Sequence, residues 1–276
     1  MAAPLTLSDL YIYPVKSLGG IRVTEAVVEP RGLRHDRRWL IVDERNQFMT
    51  QRQTAAMAHL QVAPAHNGFL LTHAARPGLL PLYVPFEATP DHTLFVTIWD
   101  DMVFAWRGTP AADEWLTEAL DRPCKLVYMS DMVVRATDGG AADGDVSFAD
   151  AYPFLVIGQA SLDDLNTRLA TPVPMNRFRP NLVFTGGTAY EEESWRDFTV
   201  SGQPFLGVRP CGRCVVTTID QQTTEKSPEP LRTLATYRTQ DHKVMFGQNV
   251  TGPGHGLIRV GDTLEIASRK PALVTP

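Results

Sequence analysis

The feature that most limits what this chain can fold into is its rhythm. Apolar, β-branched stretches of about four to nine residues recur along its length, and Pro, Gly, Asn or Asp breaks each one before it grows long. Strands are predicted at Leu5–Tyr13, Gly20–Val28, Trp39–Asp43, Gly68–Thr72, Leu80–Val84, Leu94–Thr97, Asp101–Trp106, Lys125–Met129, Phe154–Ile157, Leu182–Thr185 and Thr263–Ile266, with two more between Trp195 and Leu206. Gln47–Thr50 is expected to pair back on Trp39–Asp43 across the turn Glu44-Arg45-Asn46. Helical spacing is confined to Ala111–Leu120, stopped by Pro123, to Leu162–Leu169 with Ser161 as N-cap and Asp163 and Asp164 in its first turn, and to a short piece at Leu231–Leu234. Many short strands and few helices favour a mainly β protein with some α, a barrel rather than a doubly wound sheet.

The chemistry concentrates in Arg209–Asp220, Arg-Pro-Cys-Gly-Arg-Cys-Val-Val-Thr-Thr-Ile-Asp, which holds Cys211 and Cys214 and continues into a β-branched run, Val215–Ile219, expected as a strand. Arg209 and Arg213 place the thiols in positive potential, which favours thiolate, the form a soft metal needs. Four readings of the pair stand side by side. A thioredoxin-like redox couple wants the motif to open a helix. A closed zinc site wants four ligands, and Cys124, His242 and His255 supply no such spacing. A single cysteine can ligate a cofactor metal with the other as filler, or both can be small buried side chains.

Composition removes several classes. With 276 residues the chain can hold one large or two small domains. A net charge of −5 offers no electrostatic case for nucleic acid or an anionic membrane. Three cysteines make no disulfide framework and point to a reducing compartment, the cytoplasm. The first residues, Met-Ala-Ala-Pro-Leu-Thr-Leu-Ser-Asp-Leu, lack a basic leader, and no apolar run reaches the roughly 18 residues of a membrane span.

Other segments take meaning from their charge. The loop Val15–Gly20 presents Lys16 and Ser17, an ammonium and a hydroxyl suited to an anion or to solvent. Arg31, Arg34, Arg37 and Arg38 crowd before a buried strand, where they need acids such as Asp36 or an anionic ligand. Thr137–Asp145, with Gly139, Gly140 and Gly144, reads as a mobile loop between halves, placed to gate a site. Glu191–Glu193 reads as a solvated acidic run, and His59, His66, His73 and His92 as surface or strand histidines. Phe246-Gly247-Gln248-Asn249 is expected in a turn or at a strand end.

Taken in order, Tyr-Pro-Val-Lys-Ser near the start, Asp36-Arg37-Arg38-Trp39, Tyr152-Pro153-Phe154-Leu155, Phe178-Arg179-Pro180-Asn181, Cys211-Gly212-Arg213-Cys214 with Thr217-Thr218-Ile219-Asp220, and Phe246-Gly247-Gln248 resemble the MOSC family over nearly the whole chain. The resemblance is to the branch that carries an N-terminal β-barrel domain and includes amidoxime-reducing proteins. It implies a MOSC-type β-barrel (residues 126–270) packed with a smaller N-terminal β-barrel-like α/β domain (residues 1–125), followed by a tail at 271–276.

The resemblance also implies a molybdenum cofactor, with Cys214 as the protein's sulfur ligand and Cys211 as its neighbour. Lys16, Ser17, Arg37, Asp150, Arg179, Asn181, Gly212 and Arg213 fall at its cofactor-binding positions, and Cys214, Asp150 and Arg213 at its catalytic ones. A phosphate end suits Lys and fork-shaped Arg, and a pterin edge suits Asn181 and Asp150. Gly212 departs from a family that often has a hydroxyl residue there. The implied activity is reduction of small N-hydroxylated compounds by a molybdenum oxidoreductase. A separate flavin or iron–sulfur reductase is expected as electron donor, since no cysteine follows Cys214, and no counterpart of the mitochondrial relatives' membrane anchor is expected. The alternative is a cofactor carrier or sulfur-delivery protein related to the cofactor sulfurases, whose kinship also brings pyridoxal phosphate into view.

Overall fold

The computed structural model describes residues 4–89 and 91–272; of the expected tail, residues 273–276 lie outside the described residues. The protein is mostly β. Its largest sheet runs in the order Ile21–Val23, Thr6–Ile12, Leu182–Thr185, Phe154–Gly158, Lys243–Thr251, Gln203–Gly212, Trp195–Val200, Leu264–Arg269. The sheet curls until its ends meet, with Thr6 bridging Thr263 and Leu7 exchanging backbone bonds with Gly261 and Asp262. Closure of this kind removes exposed strand edges.

The first strand of the chain therefore lies among strands of the second half. Thr6–Ile12 pairs antiparallel with Leu182–Thr185, and Glu25–Glu29 pairs with Gly256–Arg259. The predicted single strand Gly20–Val28 is in fact two, Ile21–Val23 and Glu25–Glu29, which join different sheets. Thr24 lies at the break between them. One parallel pair, Phe154–Gly158 beside Leu182–Thr185, is connected through the helix Gln159–Arg168. That pair sets Phe154, Leu155 and Asn181 at one end of the barrel.

Two further sheets and a helix carry the rest of the first half. One sheet orders Trp39–Asp43, Cys124–Tyr128, Asp101–Arg107, Thr93–Ile98; the other joins Leu60–Ala65, Gly68–His73 and Leu82–Pro85. Gln47–Thr50 forms only single bridges, one to Val42 and one to Thr97, rather than a regular hairpin strand. The expected helix starts one residue earlier, at Pro110, with Pro in its first turn and the Thr109 side chain accepting from Ala112 N. It ends at Asp121 in a left-handed conformation, before Pro123 is reached.

Several local expectations give way to tertiary contacts. Ser161 is inside its helix rather than capping it: Gly158 is the N-cap, and the buried Ser161 hydroxyl donates to Glu192 at 2.9 Å. The acidic run is not solvated, because Glu192 and Glu193 are 0% and 1% exposed, and Glu193 pairs with Arg238. Phe246–Asn249 lies in the middle of Lys243–Thr251. Thr137–Asp145 belongs to a two-stranded ribbon, Ala136–Thr137 against Gly140–Asp145. Arg209 is ion-paired with Asp138 of that ribbon.

Candidate functional site

The nine residues singled out as cofactor ligands or contacts come together. Lys16, Ser17, Arg37, Asp150, Arg179, Asn181, Gly212, Arg213 and Cys214 all line one cavity of about 1210 Å³. Eight Lys and Arg side chains line it against five Asp, in a chain whose net charge is −5. The cavity is thus the place where this acidic protein concentrates positive charge, an arrangement suited to an anionic ligand.

Its floor is built by zipping two turns together. Trp39 N donates to Pro14 O, Lys16 N to Trp39 O and Arg37 N to Tyr13 O, each within 2.9 Å, so the Lys16 loop and the Arg37 turn become one unit. Ser17 and Arg37 both adopt positive φ to make these turns. Arg37 then donates to Asp36 at 2.6 Å and to Asn181 Oδ1 at 3.0 Å. Arg37 and Arg179 both stack on the Tyr13 ring, at 4.4 and 4.3 Å. Burial, then the neighbouring Arg37, pulls the Arg179 guanidinium down to about 10. Asp36 compensates Arg37, which leaves the pair with one positive charge to meet an anion. Of the cluster Arg31–Arg38, only Arg37 reaches the cavity: Arg34 pairs with Glu29, Arg38 with Asp131, and Arg31 donates to the Ser130 carbonyl.

Asn181 is spent on structure. Its amide accepts from Arg37 and Leu155 N and donates to Tyr11 O, tying three segments together at the cavity wall. Lys16 is 5% exposed in its side chain, while Asp150 is half exposed where it faces the cavity. Lys16 Nζ donates to Asp150 at 2.5 Å and to Phe148 O at 2.7 Å. Burial pushes Lys16 down to about 8, with Asp150 opposing that shift. Burial would raise the Asp150 carboxyl, but Lys16 and Arg52 together hold it well below the usual carboxylate range.

The cysteine stretch differs from its sequence reading. Gln203–Gly212 is strand, but Val215–Thr218 turns into a 3-10 helix directly after Cys214. The β-branched residues do not continue as strand because the Thr217 hydroxyl donates back to Cys214 O at 3.0 Å and the Thr218 hydroxyl to Val215 O at 2.7 Å. The turn leaves Cys214 partly exposed at the cavity wall. Arg213 donates to Cys211 Sγ at 3.2 Å and to Phe178 O at 2.5 Å, while its Nε is buried without a partner. Phe178 packs on Phe246 at 4.2 Å, so the two aromatic motifs form the core under Arg179 and Arg213.

Sequence reasoning missed Arg52. It lies just beyond Gln47–Thr50 in a Gln-Arg-Gln stretch with no motif of its own, and the signal is purely spatial. Its Nε donates to Cys214 Sγ at 3.3 Å and its Nη2 to Asp150 at 2.7 Å. The arginine touching Cys214 is therefore Arg52, whereas Arg209 is taken by Asp138 and Arg213 by Cys211. Among the described residues no group of three or more His, Cys, Asp and Glu is placed to hold a metal, so a closed zinc site finds no ligand set there.

Comparison with known proteins places the chain in a family. The family model described as the MOSC N-terminal beta barrel domain matches residues 4–123, and that of the MOSC domain matches residues 143–265. This chain belongs to the MOSC family. Mitochondrial amidoxime-reducing component 1 of Mus musculus is 33% identical over 93% of this chain and 81% of its own length. The molybdenum cofactor sulfurase of Solanum lycopersicum is 28% identical over 95% of this chain, which spans 36% of that longer MOSC relative. A solved structure of the YUAD protein from Bacillus subtilis aligns over 94% of this chain and 93% of its own, with TM-score 0.38 and 9% identity.

Proposed function

We propose that this MOSC protein is a molybdenum-cofactor-dependent reductase of N-hydroxylated compounds such as amidoximes and hydroxylamines. The observation that carries the reading is the convergence, in one cationic cavity, of a partly exposed Cys214 thiol with Lys16, Arg37, Arg52, Arg179 and Arg213. The residues fit an anionic sulfur-ligated group. Arg213 Nε is a buried donor without a partner in that wall, and a cofactor acceptor would satisfy it. The naming of relatives for amidoxime reduction supports the choice of substrate class.

Cys214 would complete the metal's sulfur ligation, and Arg37 with Arg179 would hold the phosphate end. Bound there, the cofactor supplies oxygen-atom transfer coupled to a two-electron reduction. The chain's own residues position and shield. Arg52 fixes the Cys214 sulfur, Lys16 compensates Asp150, and the ribbon Ala136–Asp145 walls one side of the cavity. Two electrons per turnover would come from a separate flavin or iron–sulfur protein. Among the described residues no helix is long and apolar enough to cross a membrane.

The test is metal and pterin content of protein made in a cofactor-competent host with molybdate, wild type beside Cys214→Ala, followed by benzamidoxime reduction with reduced viologen. Stoichiometric molybdenum that is lost in Cys214→Ala, with turnover in the wild type, is the expected result. Zinc instead of molybdenum, or metal unchanged in the variant, overturns the ligand assignment. Cofactor that binds but dissociates readily, without turnover, points to the carrier reading instead.

A further inference from the structure

Trp99 sits at the tip of the hairpin formed by Thr93–Ile98 and Asp101–Arg107, with φ at +55°. A bulky aromatic residue at positive φ is an outlier that persists only where its surroundings hold it, and such residues cluster at functional sites. Asn or Gly would make this turn without strain, so the turn alone gives no reason for tryptophan. The ring is held by Arg52, whose guanidinium lies 4.7 Å from its centroid, and by the Phe48 ring at 4.9 Å. Trp99 is nonetheless 43% exposed and lines the cavity. Because the same Arg52 donates to Cys214 Sγ at 3.3 Å, the indole stands one guanidinium away from the candidate metal ligand.

We propose that Trp99 is a specificity-determining residue: it gives the cavity an aromatic wall that favours N-hydroxylated substrates with a flat aromatic body over small aliphatic ones. The inference rests on the reductase reading and names the substrate class of that site. Stacking of one planar ring on another adds to simple burial, enough for roughly a threefold to tenfold preference.

The test compares wild type, Trp99→Ala and Trp99→Phe in the cofactor-loaded protein. Benzamidoxime and acetamidoxime are the substrates, with reduced viologen as donor. The KM ratio of benzamidoxime to acetamidoxime should rise roughly threefold to tenfold in Trp99→Ala and return most of the way in Trp99→Phe. Equal changes for both substrates, or no change for either, overturn the proposal. A purely structural role for Trp99 would lower the melting temperature without moving the ratio. Calorimetric binding of benzamidine against acetamidine to the same three proteins separates the two readings. If the wild type turns over neither amidoxime, the reductase reading fails, while a benzamidine preference lost in Trp99→Ala still sustains the aromatic wall. No benzamidine preference in the wild type overturns it.

Discussion

Arg52 Nε lies 3.3 Å from Cys214 Sγ, a contact between residues 162 positions apart that joins the two halves of the chain at the cavity wall. The same guanidinium reaches Asp150 and lies against Trp99, so one planar fork ties together three segments.

Arg52→Lys should therefore behave as a non-conservative change. One ammonium cannot reach both Sγ and the carboxylate while also covering the indole. If the protein is the proposed reductase, losing a hydrogen bond to a charged group corresponds to roughly a tenfold fall in kcat/KM for benzamidoxime. Stability should hardly move, because Asp150 is half exposed and such pairs are worth under about 1 kcal/mol after solvent screening. Steady-state kinetics beside thermal melts checks this. A large drop in melting temperature with kinetics intact would assign Arg52 to the scaffold instead.

Glu192 should make stability depend on pH. Burial raises its carboxyl from 4.5 to about 7, although the Ser161 hydroxyl and Gly158 N hydrogen-bond to it. The fold favours the protonated form, so this contribution is fully present below about pH 4.5 and is lost as pH rises through about 7. Glu192→Gln keeps a neutral carbonyl acceptor and removes the titration. Across that window wild type should lose on the order of 2–3 kcal/mol relative to the variant. Melts at closely spaced pH values measure it, and parallel curves for the two proteins would refute it.

Gly247→Ala should destabilise the barrel. Its φ is +78°, and a Cβ there would meet Ile157 Cγ1 at 2.7 Å and Val156 O at 3.1 Å. Positive φ and overpacking together cost about 2–3 kcal/mol, or roughly 4–10 °C in melting temperature for a chain of this size. Phe246, next in the strand, packs on Phe178 beneath Arg179 and Arg213, so cofactor retention should fall as well. Unchanged melting and metal content in Gly247→Ala would show that the strand can shift to accommodate the methyl.

Much of the architecture could be read from the residues themselves. Short β-branched runs separated by breakers predicted most strands, since side-chain alternation and turn chemistry act over a few positions. The helical spacing of Ala111–Leu120 is equally local. Ordered motifs pointed to nine residues, and those nine share one cavity. What misled was sometimes a partner far along the chain and sometimes a local hydroxyl bond. Glu192 and Glu193 look like a solvated run until Ser161 and Arg238, 31 and 45 positions away, bring them inside. Val215–Thr218 has strand composition, yet its hydroxyls bond back to nearby carbonyls once the barrel turns the chain at Cys214.

By itself, then, the sequence determined the strand-rich class, the order of the motifs and the chemistry on offer: thiols, cations and a few acids at fixed places. Tertiary structure decided which of them meet. Pairing of Thr6–Ile12 with Leu182–Thr185 carries the first strand into the second half, and Lys16 and Arg37 come to line one cavity with Arg179 and Cys214. The folded chain likewise brings Arg52 to the sulfur and seats Trp99 at the cavity wall. The reason is physical: propensity and patterning act between neighbours, whereas burial, ion pairing and positive φ are set by whatever the folded chain brings alongside.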